Sequence, residues 1–214
     1  MSRRHALALA VTASLLWACG GGTTPSTTSP SDGSASGCPN AAPAPLPAHQ
    51  EYDVTMQTSM GTITMRVATD NSPLAVANFV ALVSCGFYDG VIFHRLAFLQ
   101  DGTPFVIQGG DPTGTGTGGP GYTIKDEPVL GSYRRGTLAM ARTSAPDSQG
   151  SQFFIVLDNA AAGPLESART YAILGEVTAG MDVVDAISKV ARDGQDRPIS
   201  PVTITKATAT KVVP

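Results

Sequence analysis

The sequence predicts a mainly β domain, a closed antiparallel barrel with helices packed outside it. Three observations carry this. From Tyr52 onward, short apolar runs, several of them alternating, are separated by Gly, Pro, Asn and Asp turn signals. Only two stretches carry helical spacing of apolar residues. No internal repeat or second domain interrupts the pattern, and many short strands with few helices are best buried by closing the sheet on itself.

The chain opens outside that domain. MSRRHALALAVTASLLWAC places Arg3 and Arg4 before an apolar run from Ala6 to Ala18. That run is shorter than the roughly 20 residues a membrane span needs, and it reads as a signal peptide over 1–18. Leu16-Trp17-Ala18-Cys19 resembles a lipobox, the bacterial lipoprotein motif in which the cysteine is lipidated and becomes the mature N-terminus. The resemblance implies lipidation at Cys19 and a membrane contact through that lipid. Residues 19–50 are rich in Gly, Ser, Thr and Pro, cannot build a core, and read as a flexible linker ahead of a domain over 51–214. Cys38 and Cys85 remain, an even pair in an oxidising compartment. Either they form a disulfide, worth up to about 4 kcal/mol in the chain-entropy model, or Cys85 is a buried helix thiol and Cys38 is free.

Within the domain, YDVTMQTSMGTITMRVA reads as a hairpin. Val54, Met56 and Thr58 alternate, as do Ile63, Met65 and Val67, with Met60-Gly61 at the turn. Ser72 then caps a helix with Pro73 in its first turn. Val76, Phe79, Val80 and Val83 mark its apolar face, and Gly86 stops it. VIFHR, FVIQGG, GTLAMAR, SQFFIVL and YAILGEV follow as strands. A second helix spans about Met181 to Val190, and PVTITKATATKV closes the barrel.

The chemistry is mostly one of exclusion. Charged residues make up 14% of the chain and the net charge is -3, with no basic cluster beyond the N-terminus, so nucleic acid is a poor partner. Two cysteines without suitably spaced partners do not make a metal site. Gly114, Gly116 and Gly119 satisfy G-x-G-x-x-G, but GPGYTIKDEP after them cannot be a helix and no acid follows at the required distance. The glycines instead let the backbone lie flat where side chains would clash. His94 has no evident nucleophile partner and reads as a satisfied histidine in a strand. That leaves Arg95, a charge ending the apolar run Val91-Ile92-Phe93-His94. On that fact alone it is a strand-end residue reaching water.

Taken in order, however, FHR, FVIQGGDP, the glycine loop, LAMAR and GSQFFI resemble the cyclophilin-type peptidyl-prolyl cis–trans isomerases, from Tyr52 to Val213. The resemblance implies an eight-stranded antiparallel barrel capped by two helices, with the site on its outer face, acting on proline-containing polypeptides as a monomer without a cofactor. It makes Arg95 the catalytic arginine, and Phe105, Val106 and Gln108 pocket residues. The Ala141-Arg142 backbone pins the peptide. Phe154 is the floor of the proline pocket and Leu165 its wall, and Tyr171 stands where the family has histidine or, in many bacterial members, tyrosine. The glycine loop lines a secondary pocket. Two departures stand out. Nine residues separate Arg95 from Phe105, longer than the family's usual connection, so an extra loop over 97–103 should either gate the pocket or displace Phe105. Pro164 lies nearest the position of a family tryptophan that contacts cyclosporin, which implies weak binding of that drug. With the N-terminal signals, the expectation is a foldase on the cell envelope acting on exported proteins. The alternative is a proline-peptide binding module with little turnover.

Overall fold

The computed structural model describes residues 37–213. The expected signal peptide, Cys19 and the first part of the linker lie outside the described residues. Eight strands close into a barrel: β1 (Glu51–Thr58), β2 (Gly61–Ala68), β3 (Ile92–Phe98), β4 (Pro104–Asp111), β5 (Thr137–Met140), β6 (Phe153–Val156), β7 (Ile173–Ala179) and β8 (Val202–Lys211). Their order around the barrel is β1-β2-β7-β5-β6-β4-β3-β8, and every neighbouring pair is antiparallel.

Alternation decides what fills the interior. Val54 and Met56 of β1 meet Ile63, Met65 and Val67 of β2 inside, all fully buried. The hairpin turn is Ser59-Met60, one residue earlier than the sequence suggests, because Thr58 pairs with Gly61 and its hydroxyl donates to the Gly61 carbonyl at 2.7 Å. One side of the barrel is plugged by aromatics. Phe79, Tyr88 and Phe93 all surround Phe153, with ring centroids 5.6–6.1 Å from it. Burial raises the Tyr88 hydroxyl pKa well above its ordinary value, and that hydroxyl donates to the Ser151 carbonyl at 2.8 Å.

Three α-helices, not two, pack around the strands: α1 (Pro73–Ser84), α2 (Ala162–Ala168) and α3 (Met181–Ser188). The additional one, α2, is too short to display an apolar period, and its Gly163-Pro164 reads locally as a loop. Nor does Ser72 cap α1 through its side chain. Its hydroxyl is buried without a partner among the described residues. The cap comes from Glu127, whose two carboxylate oxygens each accept a first-turn N–H, from Leu74 and Ala75, at 2.8 Å. An anion there also meets the positive end of the helix dipole. Among the described residues no helix is long and apolar enough to cross a membrane.

The last part of the segment read as a flexible linker is fastened to the domain from Cys38 on. Cys38 and Cys85 are joined by a disulfide. Leu46 donates its N–H to Pro73 O at 3.2 Å and packs on the core. The Thr69 hydroxyl donates to Pro47 O and accepts from Gln50 N–H. His49 meets the Asp70 carboxylate through both backbone and ring, and the backbone bond leads in holding the Asp70 pKa low. Sparse apolar content does not prevent this, because backbone groups and one cross-link hold the segment.

Candidate active site

The site grows from a fault in β3. Phe93 pairs with Gly109 and Arg95 with Gln108, so His94 is an extra residue, a bulge. The bulge resets the alternation. Phe93 and Leu96 face the interior, while Arg95 faces out, its side chain 47% exposed. Cross-strand pairing then builds one row over the outer face: Arg95 beside Gln108, Gln108 beside Phe154, Phe154 beside Ala139, Ala139 beside Ile173. A cation, an amide and an apolar floor thus lie side by side on four adjoining strands and a fifth.

An amide relay orients the polar end of this row. Arg95 Nη1 lies 3.5 Å from Gln108 Oε1. Gln108 Nε2 donates to Gln152 Oε1 at 2.9 Å, and Gln152 Nε2 donates to the Gly116 and Gly118 carbonyls at 3.0 and 2.9 Å. Each amide has its orientation fixed by the next. Gln152 was not identifiable as a site residue from sequence. Its one signal is its position beside Phe154 on an edge that must face outward.

The apolar end is a second cluster, separate from the barrel core. Val106, Phe154, Val156 and Leu165 are nearly fully buried there, with Phe105, Ala141 and Tyr171 partly buried against them. Val106 sits below the surface between Ala97 and Val156. The Tyr171 ring meets Phe154 edge-on at 5.4 Å. Its backbone is clamped by Tyr133, whose hydroxyl donates to Tyr171 O at 2.7 Å and accepts from its N–H at 3.2 Å. Burial pushes the Tyr133 hydroxyl up to about 12. Leu165 is delivered by α2, the helix that the longer stretch before Tyr171 creates.

The residues between Arg95 and Phe105 neither gate the pocket nor displace Phe105. They lengthen the β3–β4 hairpin. Ala97 pairs with Val106 and Phe98 with Pro104, and Leu99 N–H donates to Thr103 O at 2.9 Å to close the turn. A second irregularity in the ladder, between Ala97 and Phe98, leaves Phe105 as the extra residue between Pro104 and Val106, partly buried against the outer cluster.

The glycine loop encloses a carboxylate of its own chain. Asp111 is 1% exposed and accepts hydrogen bonds from the N–H groups of Thr113, Gly116 and Gly118 at 2.6–3.0 Å and from the Thr113 hydroxyl at 2.8 Å. Burial works against its charge, but the Gly118, Thr113 and Gly116 donors outweigh burial and hold the carboxyl at about 2. A Cβ on Gly118 would stand 2.1 Å from Asp111 Oδ1, so only glycine lets the loop close over it. His94 lies beneath the same loop, 4% exposed. It is not the satisfied histidine expected from sequence, since neither ring nitrogen has a partner among the described residues. Burial lowers its pKa, so the ring is neutral at pH 7.

Beside the row lies a cavity of about 400 Å³ lined by Gln108, Gly118, Ala141, Arg142, Ser148 and Gln152. The Arg142 guanidinium is engaged by its own neighbours. It pairs with Asp126 at 2.8 Å and donates to the Thr143 and Ala145 carbonyls. Ala141 N–H is committed to Gln152 O at 2.8 Å, whereas the Arg142 N–H and C=O are free of hydrogen bonds among the described residues. The main chain available to a peptide is therefore both groups of Arg142 and the C=O of Ala141. A smaller cleft of about 230 Å³ between β2 and β7 is rimmed by Arg66 and Arg134, whose charges are already paired with Glu51, Asp53 and Glu176.

Comparison with known proteins identifies the domain as a whole. Residues 53–209 match the family model described as cyclophilin type peptidyl-prolyl cis-trans isomerase/CLD. A peptidyl-prolyl cis-trans isomerase-like 1 of Neurospora crassa is 42% identical over 160 residues, covering 72% of this chain and 92% of that protein. A probable peptidyl-prolyl cis-trans isomerase A of Mycobacterium leprae is 42% identical over 178 residues, 74% of this chain and 92% of the other. The crystal structure of a Cryptosporidium parvum cyclophilin-type isomerase superposes with a TM-score of 0.66 at 31% identity, covering 78% of this chain and all of its own. A structure of that protein in the presence of the dipeptide Ala-Pro gives a TM-score of 0.64 at 33% identity, covering 73% of this chain and 97% of its own. With the family model, the relatives and the superposed barrel all in agreement, the chain belongs to the cyclophilin-type peptidyl-prolyl cis–trans isomerase family.

Proposed function

We propose that this isomerase rotates X–Pro bonds in exported proteins, using Arg95 on a proline held over Phe154. The observation that carries the reading is the single row in which the guanidinium of Arg95, the amide of Gln108 and the ring of Phe154 are cross-strand neighbours. Ala-Pro present with the related C. parvum protein supports a proline-containing peptide as the ligand.

Amide resonance sets a barrier of roughly 18–20 kcal/mol, and uncatalysed exchange takes tens to hundreds of seconds. Reaching milliseconds needs about 7 kcal/mol less. As the bond twists, the nitrogen lone pair becomes localised and can accept a hydrogen bond that neither planar isomer offers. A guanidinium N–H aimed at that nitrogen stabilises the twisted form selectively. Phe105, Phe154, Leu165 and Tyr171 hold the ring and keep water out, Gln108 holds Arg95, and the free main-chain groups of Arg142 take the peptide backbone. No bond is broken, so no base or nucleophile is called for.

The envelope location rests on the signal-like segment 1–18 and on Cys19, and the Cys38–Cys85 disulfide suits an oxidising compartment. Labelling of Cys19 with a fatty acid, and loss of the protein from the membrane fraction in Cys19→Ser, are the expected results. A soluble wild type would remove the lipid from the reading.

The activity is tested on the full chain with an Ala-Pro-Phe reporter peptide. Wild type should accelerate isomerisation, and Arg95→Ala should lower kcat/KM by about a hundredfold or more while still binding peptide. A wild type no faster than buffer would leave a proline-peptide binding module instead.

A further inference from the structure

We propose that Asp196 is a positioning residue for Arg95, and that the lengthened β3–β4 hairpin acts on the site through it. The inference rests on the role given to Arg95 above. Gln108 faces only one corner of the guanidinium, Nη1. The opposite edge, Nε, faces Asp196 Oδ2 at 3.9 Å. A long side chain, half exposed, is thus bracketed by an amide on one side and a carboxylate on the other. An acceptor at one corner and an anion near another bias where the guanidinium plane lies, and Nη2 keeps no hydrogen-bond partner among the described residues.

Asp196 is itself held from three directions. Its carbonyl accepts the Leu96 N–H at 2.8 Å, tying the turn to the strand that carries Arg95. Its turn is built around Asp193, whose carboxylate accepts from Gln195 and Arg197 N–H groups at 2.8 and 2.9 Å. The neighbouring Arg197 reaches the glycine loop, donating to Thr115 O at 2.8 Å. Asp196 has a φ of +63°, a conformation that aspartate and asparagine tolerate better than most residues.

The same carboxylate is shared with a second arginine. Arg192 Nε lies 3.4 Å from Asp196 Oδ1, and its guanidinium stands 3.8 Å from the centroid of the Phe98 ring. Phe98 lies in the part of β3 beyond Arg95, where the hairpin is lengthened. A continuous set of contacts therefore runs from the extension to the proposed catalytic group: Phe98, Arg192, Asp196, Arg95. With Phe98 holding Arg192, the carboxylate keeps its place between the two cations. Without it, Arg192 is free to draw Asp196 elsewhere.

The test uses the full chain as wild type, Asp196→Asn, Phe98→Ala, Arg95→Ala and Arg95→Ala/Asp196→Asn. Asparagine keeps the left-handed backbone and removes only the charge. Asp196→Asn should lower kcat by about tenfold, the scale expected of a misplaced catalytic group, with KM and the unfolding midpoint unchanged. Phe98→Ala should lower kcat by about threefold, as an indirect contact. In the Arg95→Ala background, Asp196→Asn should change nothing further. The Arg95 Nε–Hε NMR signal should be single and slow to exchange in wild type and averaged in Asp196→Asn. That signal, with Phe98→Ala, decides the matter if Asp196→Asn proves less stable. Equal or faster turnover in Asp196→Asn, the same loss with or without Arg95, or an unchanged Nε–Hε signal would overturn the proposal. A wild type without activity would sink the role given to Arg95, yet the Nε–Hε signal would still report on this contact.

Discussion

Phe153 and Phe154 are adjacent, chemically identical and both nearly fully buried, but they serve different ends. Phe153 points inward among Phe79, Tyr88 and Phe93. Phe154 points outward to Tyr171, in line with Gln108 and Arg95. The same parity divides Ile155 from Val156 on β6, Ile107 from Val106 on β4 and Leu138 from Ala139 on β5. Three strands thus carry two apolar clusters, one that holds the barrel and one proposed to hold the proline. Burial alone does not tell a core residue from a pocket residue; the side of the sheet does.

The sharpest way to break this comparison is to truncate each ring in turn. Phe153→Ala should cost about 3–5 kcal/mol of stability, read by urea unfolding, with the folded fraction still active. Phe154→Ala should cost about 2 kcal/mol but lower kcat/KM by about a hundredfold by emptying the pocket floor. If Phe153→Ala abolished activity in fully folded protein, the division by parity would be wrong.

A cross-link far from the outer row should move stability alone. Replacing Cys38 and Cys85 with serine releases a loop of 47 residues' separation and should cost at most about 4 kcal/mol in unfolding, with kcat/KM unchanged. A fall in activity at temperatures where the variant is folded would show that the two regions are coupled.

The smallest effect concerns the acid under the glycine loop. Asp111 titrates at about 2 when folded, below its ordinary 3.8, so its contribution is full above about pH 4 and is lost as pH falls toward 2. It amounts to about 2 kcal/mol at neutral pH. Asp111→Asn should lower stability at pH 7 and flatten the acid unfolding curve over that interval. An unchanged curve would mean that the loop holds itself without the carboxylate.

Alternation made the β1–β2 hairpin legible in the sequence, and with it the inward Ile63, Met65 and Val67, whereas Phe154 stood out only through its motif, GSQFF. Arg95 could be noticed because a charge ended an apolar run, although nothing local revealed that a bulge at His94 turns it outward. What local patterns could not supply were partners from elsewhere in the chain. Glu127 caps α1 from more than 50 residues away, Asp111 fills a loop that looks merely glycine-rich, and Asp196 meets Arg95 across the barrel surface. Helix α2 was illegible for a different reason, since its seven residues are too few to display a period. The extra loop after Arg95 was expected from the length of the stretch, whereas Leu96, Ala97 and Phe98 continue the apolar run and extend β3.

The bond between Cys38 and Cys85 also has a mechanical meaning. Tension applied to the chain upstream of residue 38 enters the domain at the end of α1, through covalent bonds. Residues 39–50 and strand β1 lie outside that load path. Pulling on the N-terminal side therefore does not peel β1 from β2 and β8.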